Sequence, residues 1–310
     1  MATKRFTQND RGAADKFGQL IGESFEKAVV ALIQDYLQTK HTEYVLLEPK
    51  IGRAKIELEM FGGSIRQLDT VVMAKDSEDP VALLETKWLK DARHHNDKGA
   101  WILQLREVKK KYATVRGAAA VLAGYWTEGV GVILMSEGGI KMVWVATDTE
   151  VYGTIQQPLD SYLGENTFKL EAHTIRKSYP RPWDLANLFI ELKEKGELER
   201  LASTWLEFER AKTADGRPIT GADLIRQAID ELLTPLPSTP NVKGFEVALR
   251  IDTGNLIYQE FDDIESLFEF VNKYHQNPQE ILRRITPRKK APTEPVKPDL
   301  NSKNKKVKGS

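Results

Sequence analysis

The sequence has no cysteine, which rules out disulfides and thiolate metal sites and leaves carboxylate and imidazole as the metal-ligating side chains. It has no net charge either: 45 Lys+Arg balance 45 Asp+Glu, so any nucleic-acid contact has to come from local clusters. No apolar run is long enough to span a bilayer, and Met1-Ala2-Thr3-Lys4-Arg5 is not followed by a signal-peptide core. A soluble, cytoplasmic protein with no membrane partner is the expectation. A P-loop is missing, so no helicase motor and no nucleotide cofactor are expected. At 310 residues the chain can bury a full core, in one large domain or in two.

What is present concentrates between Gly62 and Tyr112. Ile65 to Met73 is a β-branched-rich run bounded by Gly62-Gly63-Ser64 and by the polar turn Lys75 to Pro80. It reads as one strand carrying Asp69, with Val81 to Trp88 as the returning strand. Glu85 and Lys87 lie two apart and so project from one face of that strand. Two carboxylates a few ångströms apart repel unless a cation lies between them, and Mg²⁺ is commonly held by one or two carboxylates plus water and phosphate. Such an ion polarises a phosphoryl oxygen and acidifies its bound water, beside which an amine could stabilise developing charge. The same Glu-x-Lys spacing also occurs on strands whose polar face is merely wet, where cross-strand charges are worth roughly a few tenths of a kcal/mol.

Asp69 followed by Glu85-Thr86-Lys87 on an apolar strand one hairpin later resembles the PD-(D/E)xK nuclease superfamily, over roughly residues 14 to 146. Leu68 precedes Asp69 where the pattern often has proline. The resemblance implies a restriction-endonuclease-like α/β core, with a mixed sheet flanked by helices, that hydrolyses DNA phosphodiester bonds with Mg²⁺, for which Mn²⁺ can substitute. It assigns Asp69, Glu85 and the backbone carbonyl of Thr86 to the metal and Lys87 to the attacking water. It implies an acid from the preceding helix and a polar residue from the following one.

Phe17, Ile21, Phe25, Ala28, Val29, Leu32, Ile33 and Tyr36 recur at helical spacing, predicting an amphipathic helix over about 14–37. Glu26 projects beside its apolar stripe and Glu23 on the wet side, so Glu26 is the acid that could reach the site; the alternative is a solvated edge glutamate. Tyr44 to Leu47 and Ala54 to Phe61 read as strands. Leu89 to Lys98 is too polar for core and reads as a loop for phosphate contact or plain solvation, since the adjacent His94 and His95 do not converge easily on one ion. Gly99 to about Ala123 reads as a helix with Leu105, Val108, Tyr112 and Val115 inward, and Gln104 is its candidate for the polar role. Gly129 to Met135 reads as a buried strand, turned by Ser136 to Gly139 into a strand from Ile140 to Thr147.

The expected organisation is a catalytic core over 1–150, a helical extension over 151–234, a small ββα unit over 235–285 and a disordered basic tail over 286–310. Helices are expected from Arg181-Pro182-Trp183-Asp184 through Leu192, from Leu198 to Lys212, and from Thr220 to Leu233. Pro235 to Pro240 reads as a linker. A hairpin, Gly244 to Arg250 and Leu256 to Phe261 about a turn at Asp252 to Asn255, precedes a helix from Ile264 to Tyr274. This unit could recognise DNA, join two subunits or cover the core. The function the resemblance implies is a type II restriction endonuclease acting on double-stranded DNA as a homodimer. A repair or junction-resolving nuclease, or a non-catalytic nucleic-acid-binding protein on the same fold, stand as alternatives.

Overall fold

The computed structural model describes residues 5–50, 55–77, 79–90, 94–136, 138–165, 167, 169–171, 179, 181–235, 244–250 and 256–278. The chain divides into two units, Met1–Leu236 and Pro237–Ser310. The first is α/β, and its centre is a mixed five-stranded sheet in the order β1-β4-β5-β6-β7: Tyr44–Leu46, Thr70–Ala74, Pro80–Leu89, Gly117–Gly124 and Ile140–Ala146. The β1–β4 and β4–β5 pairs are antiparallel, whereas β5, β6 and β7 are mutually parallel. A separate ribbon pairs β2 (Ile56–Glu59) with β3 (Ile65–Leu68).

Helix α1 (Ala13–Lys40) forms where its apolar spacing predicts, and buries Phe17, Ile21, Phe25, Val29 and Ile33. On this side of the sheet Val72, Leu84, Val121 and Val145 pack with α1, α5 (Asp148–Leu163), α6 (Pro182–Glu194), α7 (Leu198–Thr204) and α8 (Gly221–Leu233). The other side buries Val71, Leu83, Ala120 and Leu122 under α2 (His95–Leu103), α3 (Leu105–Lys111) and α4 (Glu128–Ser136). The expected division at residue 150 therefore falls inside α5, whose Val151, Tyr152 and Ile155 belong to the same apolar cluster as α1. No described helix is long and apolar enough to cross a membrane.

Four expectations are corrected. Ile65 to Met73 is two strands, not one, because the chain leaves the β2–β3 ribbon after Leu68 and joins the main sheet at Thr70. The helix over 99–123 begins earlier, at His95 within the expected loop, and ends at Lys111; Gly117 to Ala123 is strand β6. Alanine favours helix intrinsically, but β6 is buried along its whole length, where only a run of small and apolar residues fits between two sheet neighbours. Gly129 to Met135 is not a strand but lies in α4. Parallel neighbours need a crossover connection, and α4 supplies it between β6 and β7. Last, the helix over 198–212 stops at Thr204; a 3-10 turn (Trp205–Glu207) buries Trp205 and Leu206, and β8 (Glu209–Lys212) turns at Gly216 (φ 84°) into β9 (Pro218–Thr220).

The remaining expected elements form. Thr220 caps α8 through a reciprocal box with Asp223, and an unexpected box between Thr147 and Glu150 starts α5. In the second unit β10 (Phe245–Arg250) pairs with β11 (Leu256–Phe261), followed by α9 (Ile264–Gln276). The linker after Pro235 and the basic tail lie outside the described residues, as does the turn at Asp252 to Asn255.

Candidate active site

The break between β3 and β4 puts Asp69 at a joint, one residue before Thr70, which pairs with Leu84. Asp69 thus comes level with Glu85 on the central strand. Glu85 and Lys87 share a face, as their spacing requires, and Lys87 Nζ donates to Glu85 Oε2 at 2.6 Å. It also donates to Asp69 Oδ2, in a short contact, and to the Thr86 carbonyl at 3.1 Å. Asp69 Oδ2 accepts a further bond from the Thr86 backbone N–H at 3.0 Å. Three oxygens, from Asp69, Glu85 and the Thr86 backbone, therefore converge on one cationic point.

Glu26 joins from α1 through a second lysine. Lys55 Nζ donates to both Glu26 oxygens, at 2.5 and 2.6 Å, and to Asp69 Oδ1 at 2.7 Å. A third cation closes the group from β3: Arg66 Nη2 donates to Glu85 Oε1 at 2.8 Å and to the Trp101 carbonyl at 3.1 Å, and both Arg66 and Glu85 side chains are 1% exposed. The Arg66 guanidinium lies 3.9 Å from the centre of the Trp101 ring, while its Nε and Nη1 are buried without a hydrogen-bond partner. With every group ionised, three carboxylates (Glu26, Asp69, Glu85) meet three cations (Lys55, Lys87, Arg66).

These surroundings drive the two central carboxyls apart. Burial pushes the Glu85 pKa up to about 7, opposed by Lys87 and reinforced by the negative charge of Asp69. Burial also acts against the Asp69 carboxylate, but the Lys87 charge, its bond to Glu85 and Lys55 together hold it well below the usual carboxylate range. Glu26 is raised by burial and by Asp69. Lys87 is raised despite burial, because Glu85 and Asp69 stabilise its charge. The pair therefore carries its negative charge on Asp69 first.

Of the residues singled out in the sequence, Asp69, Glu85, Thr86, Lys87 and Glu26 come together. Gln104 does not join them: it lies at the junction of α2 and α3, and among the described residues no hydrogen bond ties its side chain to the cluster. Trp101, three residues earlier, is the part of α2 that reaches it. Arg66 and Lys55 were not foreseen. The signal for Arg66 was its position two residues before Leu68, in phase with the buried face of β3. His94 and Asp97 form only an exposed contact at 3.9 Å.

The three converging oxygens are hard donors of the kind Mg²⁺ takes, so their chemistry fits such an ion, and Lys87 supplies positive charge at that point. Among the described residues there is no group of three His, Cys, Asp or Glu side chains arranged to hold a metal. The fit therefore rests on two carboxylates and a backbone carbonyl. No family model, curated protein or solved structure matches the chain.

Proposed function

We propose that the protein is a Mg²⁺-dependent DNA endonuclease on a restriction-endonuclease-like core, a type II restriction enzyme that hydrolyses double-stranded DNA as a homodimer in the cytoplasm. The observation that carries this reading is the convergence of Asp69, Glu85 and the Thr86 carbonyl on the Lys87 ammonium, which occupies the point where those three oxygens would take a divalent ion. Asp69, Glu85 and the Thr86 carbonyl would hold Mg²⁺ or Mn²⁺. The ion, when bound, supplies Lewis-acid polarisation of the phosphoryl group and an acidified water. Lys87, released from those three oxygens when an ion takes its place, would position the attacking water and stabilise the negative charge that builds on the phosphate. Arg66 fixes Glu85 by holding Oε1, leaving Oε2 to face the reacting region. Lys55 and Glu26 orient Asp69 from its other oxygen.

One observation favours a second reading, a nucleic-acid-binding protein without activity: the six charges already pair among themselves. Incubation with plasmid DNA separates the two. Nicking or discrete bands in Mg²⁺ or Mn²⁺, lost in EDTA, are expected of the enzyme. Binding without cleavage under every divalent ion tested overturns it in favour of the second reading.

A further inference from the structure

We propose that Trp101 is a stacking platform for an unpaired nucleobase of the bound strand, set beside the phosphodiester that Asp69, Glu85 and Lys87 would address; the choice of a nucleic-acid ligand rests on the nuclease reading. Trp101 is 44% exposed, an unusual condition for the largest apolar side chain. The apolar core on its side of the sheet does not include it. Ile102 and Leu105 are fully buried in that core. Trp126 and Trp205, by contrast, are buried with their indole N–H groups bonded to Ala123 O and Thr154 Oγ1.

The ring is nevertheless held in place. One side rests on the Arg66 guanidinium, 3.9 Å from the ring centre, and the carbonyl of the same residue accepts from Arg66 at 3.1 Å. Arg66 in turn holds Glu85 at 2.8 Å. An exposed aromatic is thereby fixed one residue away from a carboxylate of the candidate active site. Its helical neighbours Asp97, Lys98 and Ala100 are exposed, and two of them are charged. A lone ring in charged surroundings suits a flat ring on a charged backbone better than an apolar protein surface, which needs a contiguous patch. Lys98, one turn earlier, offers a phosphate contact.

The ligand chemistry, an unstacked base, has two sources: a single strand, or a base extruded from a duplex. The test measures binding of the full chain in EDTA to four oligonucleotides: a single strand, the same strand with an abasic position, a continuous duplex, and a duplex with one unpaired base. Wild type, Trp101→Phe and Trp101→Ala are compared. Trp101→Ala should weaken binding of the base-containing strand by roughly five- to hundredfold, Trp101→Phe should retain most of it, and the loss should vanish on the abasic strand. A loss on the single strand alone identifies that source; a loss shared with the unpaired-base duplex identifies extrusion. Equal affinity of all three proteins, or a loss in Trp101→Ala as large on the abasic strand, overturns the platform. Cleavage of plasmid by a protein whose Trp101 variants bind normally removes the platform alone. A base-dependent loss without cleavage under any divalent ion removes the nuclease reading and keeps the platform. No binding by wild type to any of the four overturns the platform.

Discussion

Lys55 and Lys87 each hold a different oxygen of Asp69: Lys55 Nζ lies 2.7 Å from Oδ1, and Lys87 bonds Oδ2. The carboxylate is thereby clamped between α1, reached through Glu26, and the central strand. Removing either lysine leaves a buried carboxylate, 6% exposed, with one cation in place of two.

Lys87→Ala is therefore expected to do two things. Cleavage should fall on the order of a hundredfold or more, through loss of a contact to the charge of the transition state. Stability should fall by about 3–5 kcal/mol, because Asp69 and Glu85 lose their shared cation. Denaturant unfolding with and without Mg²⁺ checks the second effect, and the divalent ion should stabilise the variant more than the wild type. Equal stabilisation of both would mean that the three oxygens are not where the ion binds.

Glu85 makes stability depend on pH in the direction opposite to an ordinary ion-paired carboxylate. Its pKa is raised from 4.5 to about 7, first by burial and then by Asp69, so the folded state binds the extra proton. Its contribution is fully present below about 4.5 and is lost as pH rises through about 7. Asp69 works the other way, and its contribution disappears only in acid, below the usual carboxylate range. Thermal unfolding of wild type between pH 5 and pH 8, against Glu85→Gln, should show a decline in the former that is largely absent from the latter. Parallel profiles would place Glu85 ionised throughout.

Arg66→Met is expected to destabilise by about 3–5 kcal/mol, since it leaves Glu85 with one cation fewer at a site 1% exposed. The double variant Arg66→Met/Glu85→Gln removes both charges and should recover much of that loss. A double-mutant cycle from denaturant unfolding measures the coupling. Additive losses would show that the guanidinium is held by Trp101 and not by the carboxylate.

Gly124→Ala tests the end of the central strands. Gly124 has φ 86°, and a Cβ there would lie 2.0 Å from the Leu89 carbonyl oxygen, a backbone atom that cannot rotate away. The left-handed backbone alone costs about 1–3 kcal/mol, with a shift of β5 in addition. Unfolding should move accordingly, and cleavage should fall with it because Lys87 lies two residues before Leu89. Unchanged stability would mean that this strand end adapts freely.

Part of this architecture is legible in the residues. Helix α1 shows a 3.6-residue apolar period and the β5 pair shows the two-residue spacing, so Glu26, Glu85 and Lys87 could be placed by projection. Strand β6 was not legible, because Ala118-Ala119-Ala120 has helical propensity and only the burial of both faces overrides it. The Gly129 to Met135 run, continuously apolar but for glycines, has no period to separate strand from buried helix; the parallel pairing of β6 with β7 decides it. Lys55, and the carboxylate that Arg66 meets, were invisible for another reason. A buried cation is recognised by the carboxylate it meets, and those meetings depend on where the chain switches from ribbon to sheet.

The charge balance of the cluster also governs encounter kinetics. With Glu26 and Glu85 ionised, the latter above about pH 7, the three positive and three negative charges leave no net monopole, and the field fades faster with distance than that of a single ion. A phosphate arriving from solution is not drawn towards it until the two are nearly in contact. Capture at this cluster then proceeds at the pace set by orientation, about 10⁵–10⁷ M⁻¹s⁻¹, and added salt should slow it little.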